Sequence, residues 1–266
     1  MYTPQYGDRR SEPSARSRVD SGVAAGRCAG ITSVDGAEFW TGGTADMMAL
    51  TPVNLRSVAV IAAGCDDIAI GVGATLIEIA RDQPDLVVHA LVLTGGGTER
   101  EVEAKNAFAA LCPSADIRLT VADLPSGRLL YHWERVRNLL AEFRKDCEPD
   151  MVFGPHSRDH DQDHRLLADL SPTEFRDHPV LGYEILTSES ALPNPSLYSP
   201  IPVATAHKKA RLLAQCYPSK AGRGWFDDEA FLGLMRVRGV QCRARYAEAF
   251  TVEKSVLDSG SDYSVN

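Results

Sequence analysis

The sequence predicts one α/β domain, a Rossmann-like and mostly parallel sheet with helices on both faces. Three observations predict it. Short apolar runs of buried-strand type recur along the chain. Helical stretches alternate with them through short loops, as βαβ crossovers require. No internal repeat interrupts the alternation. The domain is expected over residues 46–257. An arm over 1–45, rich in Ser, Gly, Arg and Asp, is expected before it, and a polar tail over 258–266 after it.

Taken in order, Ser57 to Ala63 reads as the first strand, apolar enough to be buried on both faces. Gly71 to Arg81 reads as a helix. Leu86 to Leu93 is the second strand, closed by Thr94-Gly95-Gly96-Gly97. Glu99 to Leu111 is a helix with its charges on one face, and Ile117 to Val121 is the third strand. Leu129 to Arg144 reads as one amphipathic helix, and Met151 to Phe153 as the fourth strand. Helices follow at Arg165 to Leu170, Ala206 to Cys216 and Asp228 to Val237, with further strands at Val180 to Leu186 and Ala247 to Val252. Ligands in such sheets bind beyond the carboxyl ends of the strands, which selects the loops after Ala63, Leu93, Val121 and Phe153.

Composition narrows the function. The chain has 266 residues, 24% of them charged and 44% hydrophobic, with a formal charge of -8. A net acidic chain lacks the basic footprint that nucleic acid requires. No apolar run approaches the roughly 20 residues of a membrane span, and the N-terminus has no apolar signal segment. Six scattered cysteines without a CxxC pair read as mostly free thiols in a reducing cytoplasm. The partner expected is a small molecule, with self-association left open.

Two loops carry the chemistry. Ala63-Gly64-Cys65-Asp66-Asp67 brings adjacent carboxylates from a buried strand into a helix start. That placement is costly unless a cation or hydrogen bonds compensate. One of the two aspartates is explained as a helix cap; a pair is harder to explain that way. Pro155 to His164 holds three of the seven histidines together with Asp159, Asp161 and Asp163. Imidazole and carboxylate are ordinary ligands of zinc or a similar divalent ion. Gly95-Gly96-Gly97 lacks the Lys-Ser/Thr of a P-loop and reads as a flexible loop lining the pocket. His89, within a strand, reads as a core histidine, and Trp133 and Trp225 as core or interface aromatics.

These residues resemble the PIG-L or LmbE-like N-deacetylases, zinc hydrolases that remove acyl groups from amino sugars and related amines. The family motif His-Pro-Asp-Asp-Glu is matched by Gly64-Cys65-Asp66-Asp67-Ile68, and His-x-Asp-His by Asp161-Gln162-Asp163-His164. Arg100 with Glu103, and Leu124 to Leu129, also look like family segments. Leu181 to Glu184, Lys208, Arg238 to Gln241 and Tyr246 to Phe250 resemble a sugar-associated branch. The resemblance implies Asp66 as general base, Asp67 and His164 as metal ligands, and Arg100 and Ser126 as substrate contacts. It also shows departures. Gly64 stands where the family has its first metal-ligating histidine, Asp161 where it has its second catalytic histidine, and Ser126 where it has a substrate-contacting aspartate. His160 or Asp161 is then the group available to complete a rearranged metal site.

The expectation is a metal-dependent hydrolase acting on an acylated amine of amino-sugar or natural-product type. The alternative is a divergent member that has lost the zinc or other divalent ion and uses the pocket for other acid-base chemistry, or a silent binding protein. Because residues 1–45 lack periodic apolar positions, deleting residues 1–30 is expected to leave the thermal unfolding midpoint nearly unchanged. Differential scanning calorimetry of the two chains checks this, and a loss of folding would refute it.

Overall fold

The computed structural model describes residues 55–189 and 191–252; the expected arm and tail lie outside them. The elements are β1 (Ser57–Ala62), α1 (Asp67–Asp82), β2 (Val87–Thr94), α2 (Glu99–Leu111), β3 (Asp116–Leu124), α3 (Trp133–Lys145), β4 (Met151–Pro155), α4 (Gln162–Glu174), β5 (Val180–Tyr183), β6 (Leu197–Ile201), α5 (Val203–Cys216), α6 (Asp228–Gln241) and β7 (Tyr246–Val252). Short 3-10 turns lie at Leu129–His132 and Pro218–Lys220.

The strands form one sheet in the order β3-β2-β1-β4-β5-β7-β6. The first five in that order are mutually parallel; β7 runs antiparallel to both β5 and β6. Strand alternation divides the core in two. Val58, Val60 and Ala62 join Val88, Ala90 and Val92 under α1, α2 and α5. Ala59, Ile61 and Ala63 join Leu91 and Leu93 under α3 and α4. Because β1 is covered on both faces, every second-face position must be apolar, which is why its sequence shows no polar alternation. The chain leaves β1 for β2 and β3 on one side and returns to β4 and β5 on the other. The β1/β4 boundary is therefore the topological switch point, where a crevice opens beyond the strand ends.

Several elements differ from the sequence reading. α1 begins at Asp67 rather than Gly71, because the chain turns immediately after β1: the Asp67 amide donates to the Gly64 carbonyl and the Gly64 amide donates to Asp67 Oδ2 at 2.6 Å. α4 begins at Gln162 rather than Arg165, capped by Asp161, whose side chain accepts the Asp163 amide. The stretch Leu129 to Arg144 is a 3-10 turn followed by α3 rather than one helix. β6 escaped the reading because it is five residues long and contains Pro200, which an edge strand tolerates. Trp133 is 45% exposed with Arg137 over its ring, so it belongs to neither core. His89 is buried in β2 as expected, and burial lowers its pKa. Among the described residues, no helix is long and apolar enough to cross a membrane.

α1 is buried over most of its length, and its backbone is held by side chains from elsewhere. Gly71 lets it approach β5: a Cβ there would lie 2.2 Å from the Tyr183 ring. Lys209 on α5 donates to the Ile70 carbonyl and pairs with Glu248 on β7 at 2.6 Å. Glu248 accepts the Ala74 and Thr75 amides at 2.9 and 2.7 Å. Mid-helix amides normally serve carbonyls one turn back, so this buried pair is spliced into the helix ladder. Lys209→Met would leave Glu248 as an unpaired buried charge. It is expected to cost about 3–5 kcal/mol of stability, read by denaturant unfolding.

Candidate active site

A cavity of about 310 Å³ opens at the switch point, lined by Ala63 to Asp67, Thr94, Gly95, Arg100, Ser126, Asp161, Asp163, His164, Thr187 and Lys220 among others. A second recess of about 330 Å³, beside β5 and α4, holds His156 and His178 but none of the acidic motif residues. The first is therefore the candidate site.

Its floor is the turn after β1. Thr94 at the end of β2 donates through its amide and hydroxyl to the Ala63 carbonyl at 3.0 and 2.8 Å. The Tyr217 hydroxyl donates to the Cys65 carbonyl at 3.1 Å, and the Cys65 thiol to the Thr94 carbonyl at 3.3 Å. Burial pushes the Cys65 thiol up to about 11, so it is a packed thiol and not a ready nucleophile. The glycine loop after β2 is shaped by close approach. Gly95 has φ +94°, and a Cβ on it would lie 2.7 Å from Cys65 Sγ; one on Gly96 would meet the Val121 carbonyl at 2.7 Å. Tight packing accounts for Gly95 and Gly96; Gly97 has open space around it and a φ of +73°.

The paired aspartates are buried and go separate ways. Asp66 makes no cap; its Oδ1 receives Arg100 from α2 and its Oδ2 receives Lys220 Nζ at 2.6 Å. Lys220 also lies over the Trp225 ring. Its 3-10 turn is latched to α2 by Glu103, which accepts the Ser219 amide and hydroxyl at 2.7 and 2.6 Å. Asp67 Oδ2 takes the Gly64 amide and meets His164 Nε2 at 3.3 Å. Behind His164, Nδ1 donates to Asp159 Oδ2 at 3.0 Å. Burial favours the neutral imidazole, but Asp67 and Asp159 together outweigh it and raise the His164 pKa to about 11.

The other expected residues are placed as follows. Asp161 lines the cavity, and its Oδ1 accepts the Asp163 amide at 2.7 Å as the cap of α4. Asp163 accepts the Gly127 and Leu129 amides at 2.6 and 3.0 Å, so it pins the loop that presents Ser126. His160 is exposed, with Nδ1 3.1 Å from the Glu189 carbonyl, and does not line the cavity. Sequence reasoning missed Lys220, Asp159 and Tyr217. Asp159 stood in the quoted loop five residues before His164, close enough to suggest a pairing; nothing local marked Lys220.

A catalytic zinc site uses three protein donors and leaves one position for water. Asp67 and His164 are two. Among the described residues, no group of three His, Cys, Asp or Glu side chains is disposed to hold a metal. Asp159 is used on the far side of His164, Asp66 is held by two cations, and Gly64 has no side chain. The residues present do not fit a resident zinc centre.

Fold and site together define a class: a mostly parallel-sheet protein with a carboxylate-rich pocket at its switch point. Residues 59–173 match the family described as PIG-L, GlcNAc-PI de-N-acetylase. The chain is 30% identical over 151 residues to the uncharacterized deacetylase YaiS of Escherichia coli K12, covering 52% of this chain and 80% of that one. The chain belongs to the PIG-L family. Its fold is shared with the N,N'-diacetylchitobiose deacetylase of Pyrococcus horikoshii, at TM-score 0.56 and 17% identity, over 75% of this chain and 84% of that one. It is shared equally with Dbv21, the deacetylase of the antimicrobial A40926 pseudoaglycone, at TM-score 0.58 and 16% identity, over 77% of this chain and all of that one.

The His164 pairing has a pH consequence. The folded protein keeps the His164 proton up to about pH 11, whereas the unfolded chain releases it near pH 6.5. The folded state then binds more protons, so stability falls as pH rises from about 6.5 toward 11. Denaturant unfolding in chelator across that range should show the decline, and His164→Gln should flatten it. A parent whose stability is level over the range would contradict the pairing.

Proposed function

We propose that the chain is an N-deacetylase-type amide hydrolase that takes an N-acylated amine, amino-sugar-like or of natural-product type, in the strand-end cavity. The observation that carries the reading is Asp66: a buried carboxylate facing that cavity, with one oxygen on Arg100 and the other 2.6 Å from the ammonium of Lys220. Family membership supports the reaction class, and the names of the chitobiose and pseudoaglycone deacetylases support the substrate class.

In this reading Asp66 takes a proton from a water as the water oxygen bonds to the acyl carbon. The C–N bond breaks, and Lys220 protonates the departing nitrogen. The proton on Asp66 then returns to Lys220, so that amide and water become carboxylic acid and amine. Arg100 pairs with the Asp66 carboxylate before it takes the proton and again after it returns it, and Ser126 presents a hydroxyl to the polar substrate. Asp161, a carboxylate that only accepts hydrogen bonds, does not supply the leaving-group proton; it faces the amine product with a complementary charge. The donor set makes no three-ligand metal centre, and no metal takes part in this proposal.

A second reading is favoured by Gly64 and Asp161, the two positions where expected histidines are replaced: the cavity binds the same ligand class without turnover. The test is acetate release from N-acetylglucosamine and N,N'-diacetylchitobiose, followed by NMR in chelator, alongside binding by calorimetry. The expected result is turnover by the parent and a loss of about 100-fold or more in Asp66→Asn, the range of a general base. Saturable binding without acetate selects the second reading; neither binding nor acetate removes both.

A further inference from the structure

We infer that Gly64 is where a metal centre has been taken apart in this chain, and that one donor side chain at this position would turn Asp67 and His164 into a zinc site. The inference is independent of the proposed turnover, since zinc binding is read without substrate.

Gly64 is unlike the other glycines that shape the site. Gly71, Gly95 and Gly96 are required, because a Cβ on each would lie 2.2–2.7 Å from a ring, a sulfur or a backbone oxygen. Gly64 has no positive φ, and the nearest atoms to a Cβ there belong to the Asp67 carboxylate: Oδ1 at 3.1 Å, Cγ and Oδ2 at 3.5 Å. A few tenths of an ångström of movement by that side chain, held by the Gly64 amide and His164, would make the room. The backbone does not demand a glycine here, and the closest contact is a side chain rather than backbone.

The group that a side chain at 64 would touch is the carboxylate already 3.3 Å from His164 Nε2. A donor at 64, Asp67 and His164 would then converge as three ligands, the number a catalytic zinc takes from protein. The support behind them is also present. Asp159 holds His164 Nδ1, the carboxylate–imidazole arrangement that orients metal-ligating histidines. The Gly64 amide holds Asp67 Oδ2. What the chain lacks is the third ligand and not its surroundings. Without it the two remaining donors close on each other, with Asp67 Oδ2 3.3 Å from His164 Nε2.

The experiment uses the full chain purified in chelator and dialysed, as parent, Gly64→His, Gly64→Cys and Gly64→Ala. Zinc affinity is measured by competition with a chromophoric chelator, stoichiometry by elemental analysis, and geometry by the visible bands of bound cobalt(II). Thermal unfolding confirms folding. The expected result is little zinc on the parent and on Gly64→Ala, and one zinc per chain on Gly64→His. Its affinity should rise at least about tenfold, equivalent to about 1.4 kcal/mol. Adding Asp67→Asn to Gly64→His should reverse the gain. Gly64→Cys supplies a smaller donor if the imidazole prevents folding. A parent that retains one zinc per chain against the competing chelator would overturn the inference. So would folded Gly64→His and Gly64→Cys proteins that bind zinc no better than Gly64→Ala, or failure of both to fold.

Discussion

Two adjacent carboxylates at the end of a strand buried on both faces have to be neutralised where they stand, and much of the site follows from how this is done. An uncompensated buried charge is strongly unfavourable. Asp66 recruits Arg100 from α2 and Lys220 from the turn after α5; Asp67 recruits the Gly64 amide and His164 from α4. Segments far apart in sequence are thereby drawn to the end of β1, and the space they leave between them is the cavity. The compensation also separates the pair. Asp66 is joined to two cations, Arg100 and Lys220, and Asp67 to His164, which Asp159 holds from behind.

The opposite side of α1 solves the same problem with a different result. Lys209 and Glu248 form a buried pair that bonds directly to the α1 backbone, and Arg238 pairs with Glu184 nearby. Buried pairs of this kind are weak sources of net stability but costly to break. Here they fix the depth and register of α1, the helix whose first turn carries Asp67. Gly71 against Tyr183 acts in the same direction by letting the helix lie close to the sheet.

The departures at Gly64 and Asp161 act on donors and not on architecture. Asp161 serves as the α4 cap, and Asp163 bridges to the loop of Ser126. A helix N-terminus needs an acceptor, and an aspartate serves as well as any residue. At Gly64 the exchange leaves a small volume beside a carboxylate and no strained backbone. The fold therefore does not depend on a side-chain donor at position 64.

By itself the sequence determined the layered α/β sheet, because β1, β2 and β4 announce their double burial as near-continuous apolar runs, broken in β2 by His89. It also singled out the loops around Asp66-Asp67 and Asp163-His164 as the candidate site, since buried-strand ends rich in carboxylate and imidazole are costly without compensation, and the fold brings both loops to one cavity. Only the tertiary structure decided what each of those groups touches. Lys220 lies 154 positions from Asp66 in the chain and its local sequence carries no signal; it reaches the site because Tyr217 and Ser219 latch its turn to the strand end and to α2. His160, three positions before Asp163, points instead to Glu189. Strand and helix periodicity are local properties, legible residue by residue. Ion pairing depends on which segments the packed sheet brings within a few ångströms, and no local pattern encodes that.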